Sequence, residues 1–458
     1  NLGLSMRLSY GYKERYYIEG SFGYNGSERF AKKHRMGFFP SVGGAWVASK
    51  EPFMMGAANW LSFLKLRLSY GKVGNDGIIN NPRFVHLPSI SQGNDVVSFR
   101  PGENTIKPYV ISGYPNEDIT WEIAEQVNFG LEATFFNGLF ETTVDIYQQI
   151  RHNVLDKRTV VPEAMGLGIQ PLDNIGKVKS QGLDFSGKIQ HAFSPDLWVI
   201  LNGTLTYNKA VFEEIEEAAD KPYYQWRKGH DISQAVGYIA EGLFRDEQEI
   251  ANSPVQGGDL MPGDIRYRDV NDDGVVDVED AVHIGFPTTP RLIYGFNGFV
   301  NYKGLEFSFA FQGSGQRGFF INPAAMSPFA NNHALLTAIY KDHWSTDNMS
   351  ERPLWPRLST KNIIEHNPQE DASSDKETRM STYFLRECRF LRCTSLELAY
   401  NLPKQWSRKL ALKNLKVFVR ANNPFIISNF DLWDVELGNN GFNYPIQKTY
   451  SVGLNVNF

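Results

Sequence analysis

Several segments of the sequence alternate apolar and polar residues with a period of two. Residues 2–10, 64–71 and 450–458 show the pattern most strictly, and in the second of them Leu66 is followed by Arg67. Successive side chains of a strand point to opposite faces, so this alternation predicts strands with one apolar and one polar face. A soluble β-sandwich and a membrane barrel both show such strands, and the pattern alone leaves both open.

The predicted strands are joined by links that alternate between short and long. The strands are predicted at residues 2–12, 14–25, 37–48, 61–73, 119–136, 139–152, 177–191, 196–208, 291–302, 304–313, 383–400, 414–424 and 447–458. The short links are 12–14, 49–60, 137–138, 192–195, 303 and 401–413. The long links are 26–36, 74–118, 153–176, 209–290, 314–382 and 425–446.

This alternation of link lengths favours an outer-membrane barrel. Such barrels have short periplasmic turns and long extracellular loops. In a compact soluble domain, links as long as 209–290 and 314–382 would count against the assignment. We therefore predict an all-β fold, a transmembrane antiparallel β-barrel with long extracellular loops, and expect the chain to be almost entirely antiparallel strand. The side chains expected to face lipid are Leu4, Leu66, Val452 and Leu454, and those expected to face the lumen are Arg7, Arg67 and Asn455.

Composition removes several other classes. The mean hydropathy is −0.36, and no run reaches the ~18 apolar residues that a membrane-spanning helix needs. A barrel is compatible with this value, because half of its strand residues face the lumen. Cys388 and Cys393 lie on a predicted strand about 16 Å apart, which is too far for a disulfide. The net charge of −5 gives no reason to expect a nucleic-acid partner.

The segment from Asp269 to Asp280 matches the twelve-residue calcium loop. It places oxygen-bearing residues at the first, third, fifth, ninth and twelfth positions, with Gly274 at the sixth for the sharp turn. Ca²⁺ takes six to eight oxygen ligands, and alternate residues of a tight loop can aim at one point. Val276 would hold the loop against the protein. The predicted ligands of a structural Ca²⁺ are the side chains of Asp269, Asn271, Asp273, Asp277 and Asp280 and the carbonyl oxygen of Val275. The alternative is an acidic surface turn.

Motifs for catalysis are not found, and we predict no enzymatic activity. The sequence contains no phosphate loop, nucleophile elbow or zinc-protease motif. His333 and His343 lie in a long link at no ligand or triad spacing, which indicates ordinary loop residues. Four tryptophans of the long links would either stack on sugar rings or pack the loops, and the sequence leaves both open: Trp226, Trp344, Trp355 and Trp433.

Several segments together resemble the SusC-like branch of TonB-dependent transporters of Bacteroidetes. They occur along the whole chain at 37–46, 64–75, 120–131, 263–280, 289–296, 422–425 and 444–458. The resemblance implies a 22-stranded barrel of the bacterial outer membrane, with an N-terminal plug and a SusD-like surface lipoprotein as lid. It also implies import of oligosaccharides or peptides, powered by the TonB complex acting through the N-terminal part. A passive porin-like channel and a surface-exposed adhesin are the alternatives.

The resemblance also predicts how the chain relates to a whole transporter. Residues 1–458 would form the C-terminal part of the barrel, in which 209–290 is the extracellular loop with the calcium-like motif and 314–382 a second extracellular loop. By the same resemblance, the N-terminal plug and the early strands are expected to lie outside residues 1–458. Because thirteen strands would leave unpaired edges in lipid, we expect an N-terminal plug and barrel fragment of the same protein to pair with the strands at 2–12 and 447–458. The substrate-binding residues are unknown.

Overall fold

The computed structural model describes residues 2–77, 84–93, 107–161, 163–167, 169–218, 220–329, 332–361, 381–409, 412–439 and 441–457. Phe458, the end of the last predicted strand, lies outside them. The strands are β1 Leu2–Tyr12, β2 Tyr16–Gly26, β3 Met36–Val47, β4 Leu61–Asn75, β5 Ser89–Gln92, β6 Tyr109–Gly113, β7 Glu122–Phe135, β8 Phe140–Lys157, β9 Leu172–Ser194, β10 Leu197–Glu214, β11 Ala235–Gly237, β12 Ala240–Leu243, β13 Val255–Gln256, β14 Ile265–Tyr267, β15 Val275–Val276, β16 Val282–Ile284, β17 Leu292–Tyr302, β18 Leu305–Gly315, β19 Gly318–Phe320, β20 Leu385–Glu387, β21 Phe390–Asn401, β22 Asn414–Ser428 and β23 Thr449–Asn457. The α-helices are α1 Glu247–Ala251, α2 Pro323–Met326, α3 Thr337–Lys341 and α4 Lys404–Lys409.

Thirteen of these strands form one antiparallel sheet, as the sequence predicts. Their order in the sheet is β1-β2-β3-β4-β7-β8-β9-β10-β17-β18-β21-β22-β23, which is also their order along the chain. Strand residues make up 54% of the residues that the structure describes, and β13 pairs in parallel with β15. The expectation of an almost entirely antiparallel chain was therefore wrong for the long links, which contain helices and small sheets of their own. Within the described residues, no helix is long and apolar enough to cross a membrane.

Turn chemistry explains the short links. Between β17 and β18 the turn consists of Lys303 and Gly304, with φ of 49° and 85°. Two residues with positive φ give a hairpin turn whose twist matches that of the flanking strands, and glycine adopts this conformation without strain. The link from β1 to β2 likewise has positive φ at Lys13 and Glu14. The short links therefore hold each strand in register with the next.

The polar face of the sheet carries ion pairs that cross more than one strand. Arg67 of β4 lies opposite Gly130 of β7, which lies opposite Asp145 of β8. Arg67 reaches over the glycine to Asp145, with 3.1 Å between Nη2 and Oδ2. A Cβ at Gly130 would lie 2.7 Å from Asp145 Oδ1, so this ion pair requires glycine there. The apolar face is exposed, as shown by the accessibilities of Leu4 (62%) and Leu454 (66%).

The chain divides into two compact units. The first comprises residues 1–189, 208–220 and 227–232, and the second comprises 190–207, 221–226 and 233–458. The first unit contains a small hydrophobic cluster of Phe30, Phe39, Val85, Ile119 and Trp121. The second contains a larger cluster, formed mainly by its long links. The candidate metal loop belongs to the second unit.

Candidate functional site

In the second unit, described residues from three long links pack around one hydrophobic core. They are the segments after β10 (215–291), after β18 (316–389) and after β22 (429–448), and we call them together the loop core. Each contributes a side chain that is at most 1% exposed: Ile265 from the first, Trp355 from the second and Val435 from the third. Because apolar burial is the main stabilising term in folding, these links form one folded body.

Buried ion pairs hold the loop core together. Asp264 of the first link is fully buried and contacts Arg357 of the second, with 2.9 Å between Oδ1 and Nε. Near the N-terminal end of β21, Arg392 is 4% exposed and contacts both Asp434 and Glu436 of the third link. Arg392 Nη2 donates to the two carboxylate oxygens of Asp434 at 2.5 and 2.7 Å. Sequence reasoning missed both pairs, because nothing local to these residues signals a partner so distant in the chain.

The predicted calcium loop begins with a tight turn built on Asp269. Its Oδ2 accepts a hydrogen bond from the Gly274 amide at 2.8 Å. Asp272 and Gly274 have φ of 60° and 88°, and glycine tolerates this region best. The Asn271 side-chain oxygen accepts from the Asp273 amide at 3.1 Å. These bonds curl the first half of the loop so that its side-chain oxygens turn toward its own backbone.

Asp280 closes the loop and is fully buried. Its Oδ1 accepts from the Val270 amide at 2.6 Å, and its Oδ2 accepts from the Asp277 amide at 2.8 Å. Asp277 in turn accepts from the Glu279 amide and begins a 3₁₀ helix over Val278–Asp280. The carboxylate of the last residue thus joins the second residue of the motif, Val270, to the ninth, Asp277. A buried carboxylate bonded to several amides is a structural anchor.

The middle of the loop is attached to the protein as predicted. Val276 is buried and belongs to the hydrophobic cluster of the loop core. Its strand β15 pairs with β13, and the Val255 amide donates to the Gly274 carbonyl at 2.8 Å. Asp273 Oδ1 accepts from the Val275 amide at 2.8 Å. The loop is therefore fixed on one side by an apolar side chain and a short ladder.

Two observations bear on whether this loop fits Ca²⁺. Asp269 Oδ1 is buried and has no hydrogen-bond partner, and a free carboxylate oxygen is the ligand that Ca²⁺ prefers. Across the part of the chain that the structure describes, however, no group of three or more His, Cys, Asp or Glu side chains could hold a metal ion. Two of the predicted ligands, the Asn271 amide and the Val275 carbonyl, are not among these four kinds of side chain. The calcium assignment therefore stays a prediction.

The four tryptophans divide between packing and exposure. Trp355 is 1% exposed, and its ring centroid lies 5.6 Å from that of Phe384. Trp344 packs against the same cluster. Trp433 donates through Nε1 to the Gly438 carbonyl at 3.0 Å. Its side chain is partly buried against the same hydrophobic cluster. Trp226, at 42% exposed, is the one of the four that offers an accessible ring.

The remaining predicted residues have ordinary surroundings. His343 Nδ1 lies 3.0 Å from the carbonyl oxygens of Ile339 and Tyr340 in a helix end. Both cysteines are free and buried, so the prediction that they do not form a disulfide is confirmed. Burial raises the pKa of the Cys388 thiol, because the thiolate would lose its hydration.

The family to which this fold belongs follows from comparison with known proteins. The family described as TonB dependent receptor-like, beta-barrel, matches residues 1–350. The chain belongs to this family, which confirms the resemblance seen in the sequence, and it is a protein of the bacterial outer membrane. The assignment of the short links to the periplasm and of the long links to the cell exterior stays a prediction.

Individual relatives cover almost the whole chain. The TonB-dependent receptor P26 of Formosa agariphila is 27% identical over 99% of the chain and 45% of its own length. The TonB-dependent receptor SusC of Bacteroides thetaiotaomicron is 26% identical over 99% of the chain and 43% of its own length. Among solved structures, the RagAB peptide transporter aligns with a TM-score of 0.74 and 22% identity, over 99% of this chain and 47% of that one. The chain thus spans a little less than half the length of these relatives.

Proposed function

We propose that this chain supplies the barrel wall and the outer loops of an active importer that brings oligosaccharides or peptides across the outer membrane. Its relatives carry the names of TonB-dependent receptors, SusC among them. The RagAB structure, described as a peptide transporter, shares the fold. The observation that carries the proposal is the loop core, in which three long links, predicted to be extracellular, pack into one body. A passive pore does not need a folded extracellular body of this kind.

The loop core is suited to be the surface on which a lid closes. A SusD-like lipoprotein that closes over the barrel needs a fixed surface, because a mobile loop would lose conformational entropy on every closure. The pairs Asp264–Arg357 and Arg392–Asp434 provide that rigidity. Energy would enter from the TonB complex through the N-terminal part of the protein, and this chain would contribute no catalytic step.

Uptake by living cells tests the proposal against its two rivals. Cells that produce the full-length protein should accumulate a fluorescent oligosaccharide or peptide above its external concentration, and an uncoupler should abolish this accumulation. Cells lacking the gene serve as the control. A passive porin would equilibrate the label with or without the uncoupler, and an adhesin would bind it at the surface without uptake. Either of those results would overturn active import. Comparison of the two labels identifies the substrate class.

Purification tests the lid separately. Gentle extraction of the tagged full-length protein should recover a surface lipoprotein in a stoichiometric ratio, together with the plug and early strands as one polypeptide or as a bound fragment. Denaturing mass spectrometry distinguishes the two arrangements. Recovery of the barrel with no lipoprotein, from cells that import normally, would contradict the lid and leave import in place.

We also propose that the 269–280 loop binds one structural Ca²⁺. Asp269 Oδ1 is the buried oxygen left without a partner, and Asn271, Asp273, Val275, Asp277 and Asp280 would complete the set. The ion would offset the repulsion between neighbouring carboxylates and stiffen the loop. It would take no part in transport chemistry.

A pair of charge-matched variants tests the calcium proposal. Asp269→Asn removes a predicted ligand charge, whereas Asp272→Asn removes the same charge from a position of the loop that is not a predicted ligand. Calcium titration of the full-length protein by calorimetry should show one site, weakened more than tenfold by Asp269→Asn and little by Asp272→Asn. Absence of binding, or equal weakening by both variants, would indicate an acidic surface turn instead.

A further inference from the structure

A groove of about 610 Å³ runs along the apolar face of β2, β3, β4 and β7 in the first unit. We call it the Gly44 groove. Its walls include Ile18, Val42, Leu68, Val127 and Phe129. Gly44 lies opposite Ile18 on one side and Leu68 on the other, so its missing side chain opens the floor between two rows of apolar residues. Ile18 and Leu68 are each 58% exposed.

Packing within the described structure does not explain why residue 44 is a glycine. A Cβ at Gly44 would have as its nearest neighbour the Tyr17 carbonyl oxygen at 3.7 Å, which is an ordinary contact. Gly44 is also not among the residues with positive φ. At Gly130, by contrast, a Cβ would lie 2.7 Å from its nearest neighbour. The fold itself would accept a larger residue at 44, and the open space is available to something outside the chain.

The periplasmic end of the groove is a fixed pair of aromatic side chains. Tyr16 Oη and Trp46 Nε1 both donate to Glu51 Oε1, at 2.5 and 3.2 Å. Glu51 is 7% exposed and also contacts Arg15. Tyrosine and tryptophan are enriched where a membrane meets water, because one end of the ring system is apolar and the other polar. The shared carboxylate therefore holds both rings at the level of the lipid headgroups.

The length of the groove matches one leaflet of a bilayer. Along β3 it extends from Val42 to Trp46, which is about 13 Å at about 3.3 Å per residue. Half of the hydrocarbon core of a bilayer is about 15 Å. An apolar groove that starts at the periplasmic interface and has this depth fits a chain that runs from headgroup to midplane.

We propose that the Gly44 groove binds one acyl chain of a phospholipid from the periplasmic leaflet, as a fixed lipid rather than an exchanging solvent lipid. In the bilayer the acyl chain is already out of water, so the groove would hold it by close van der Waals contact along its length and not by the hydrophobic effect. A second copy of the barrel is the other possible occupant. A flexible acyl chain can follow the floor between the two rows of apolar side chains, whereas a second barrel would have to fit its own rows of side chains into it. The proposal rests on the outer-membrane location and is independent of the import function.

Native mass spectrometry of the full-length protein in mild detergent tests this site. The wild-type protein should retain one phospholipid, and Gly44→Leu, which fills the floor, should reduce the retained fraction at least tenfold. Gly203→Leu is the matched control, because a Cβ at Gly203 meets nothing within 4 Å, so the fold accepts a side chain there, and the position lies outside the groove. It should retain the lipid. Circular dichroism checks that each variant is folded.

A second variant and the oligomeric state complete the test. Val127→Trp narrows the same groove from β7 and should release the lipid as Gly44→Leu does, so a folding defect in one variant does not decide the result. Equal retention by the wild type and both groove variants would overturn the proposal. A lipid-free wild-type dimer that Gly44→Leu converts to a monomer would show that a second copy occupies the groove.

Discussion

Replacement of Arg392 by methionine is expected to free the third link of the loop core from the barrel. The variant would leave Asp434 and Glu436 without their shared partner, although the side chain of Asp434 is only 12% exposed. Removal of one partner from a buried ion pair costs about 3–5 kcal/mol, because the remaining charge is neither hydrated nor paired. We therefore expect opening of residues 430–438 to become roughly a hundredfold to a few thousandfold more frequent.

Hydrogen–deuterium exchange of the full-length protein measures this opening directly. Amides of the 3₁₀ helix Val435–Leu437 should exchange faster, and those in the middle of β22 should not change. Arg245→Met is the control, because its pair with Glu351 is exposed, with side-chain accessibilities of 65% and 73%. Exposed pairs contribute about 0–1 kcal/mol. Similar exchange in both variants would show that the Arg392 cluster does not anchor the link.

Replacement of Trp355 by alanine is expected to loosen the whole loop core. Trp355 is 1% exposed, and its backbone joins neighbouring segments through hydrogen bonds to Asp342 and Trp344. Large-to-small changes of a buried tryptophan cost about 3–5 kcal/mol, the sum of lost burial and a cavity. Because the three links share this core, faster exchange should appear in all of them, including residues near Ile265 and Val435.

The matched control for this change is Trp226→Ala, which removes an indole that is 42% exposed. It should alter exchange only near its own position. The thirteen-stranded sheet should keep its protection in both variants, since its ladder does not depend on the links. Faster exchange confined to residues next to 355 would show that the three links fold independently and that the core is not cooperative.

The sheet was predictable because its signal is local. Alternation at positions such as Leu66 and Arg67 is a direct consequence of the pleat, and short turns fix the neighbour of each strand. The strand ends were less predictable. The strand predicted at 177–191 extends over Leu172–Ser194, because hydrogen bonding continues beyond the part that alternates. The predicted strand 383–400 consists of two, β20 and β21.

The calcium loop and the loop core show opposite limits of sequence reasoning. In the loop, each oxygen-bearing residue lies within twelve positions of the others, so Asp280 and Val276 were assigned from spacing alone. Val276 is buried, as predicted, and the assignment of Asp280 as a metal ligand stays a prediction. The Asp264–Arg357 pair joins residues far apart in the chain. A contact between residues so far apart leaves no periodic pattern in the sequence. Whether Trp355 packs or is available to a ligand was likewise decided only by tertiary structure.

The shared core of the three long links has a consequence for how such proteins can diversify. Every wall strand pairs with its neighbours through backbone bonds, which any sequence with the right alternation can make. Links that were independent could be exchanged between homologues one at a time. Here Ile265, Trp355 and Val435 fill one interior from three separate segments, so a transplanted link would meet foreign packing partners. We expect functional chimaeras only when 215–291, 316–389 and 429–448 are grafted together. The three links would then evolve as one unit, while the sequences of the wall strands could change independently of them.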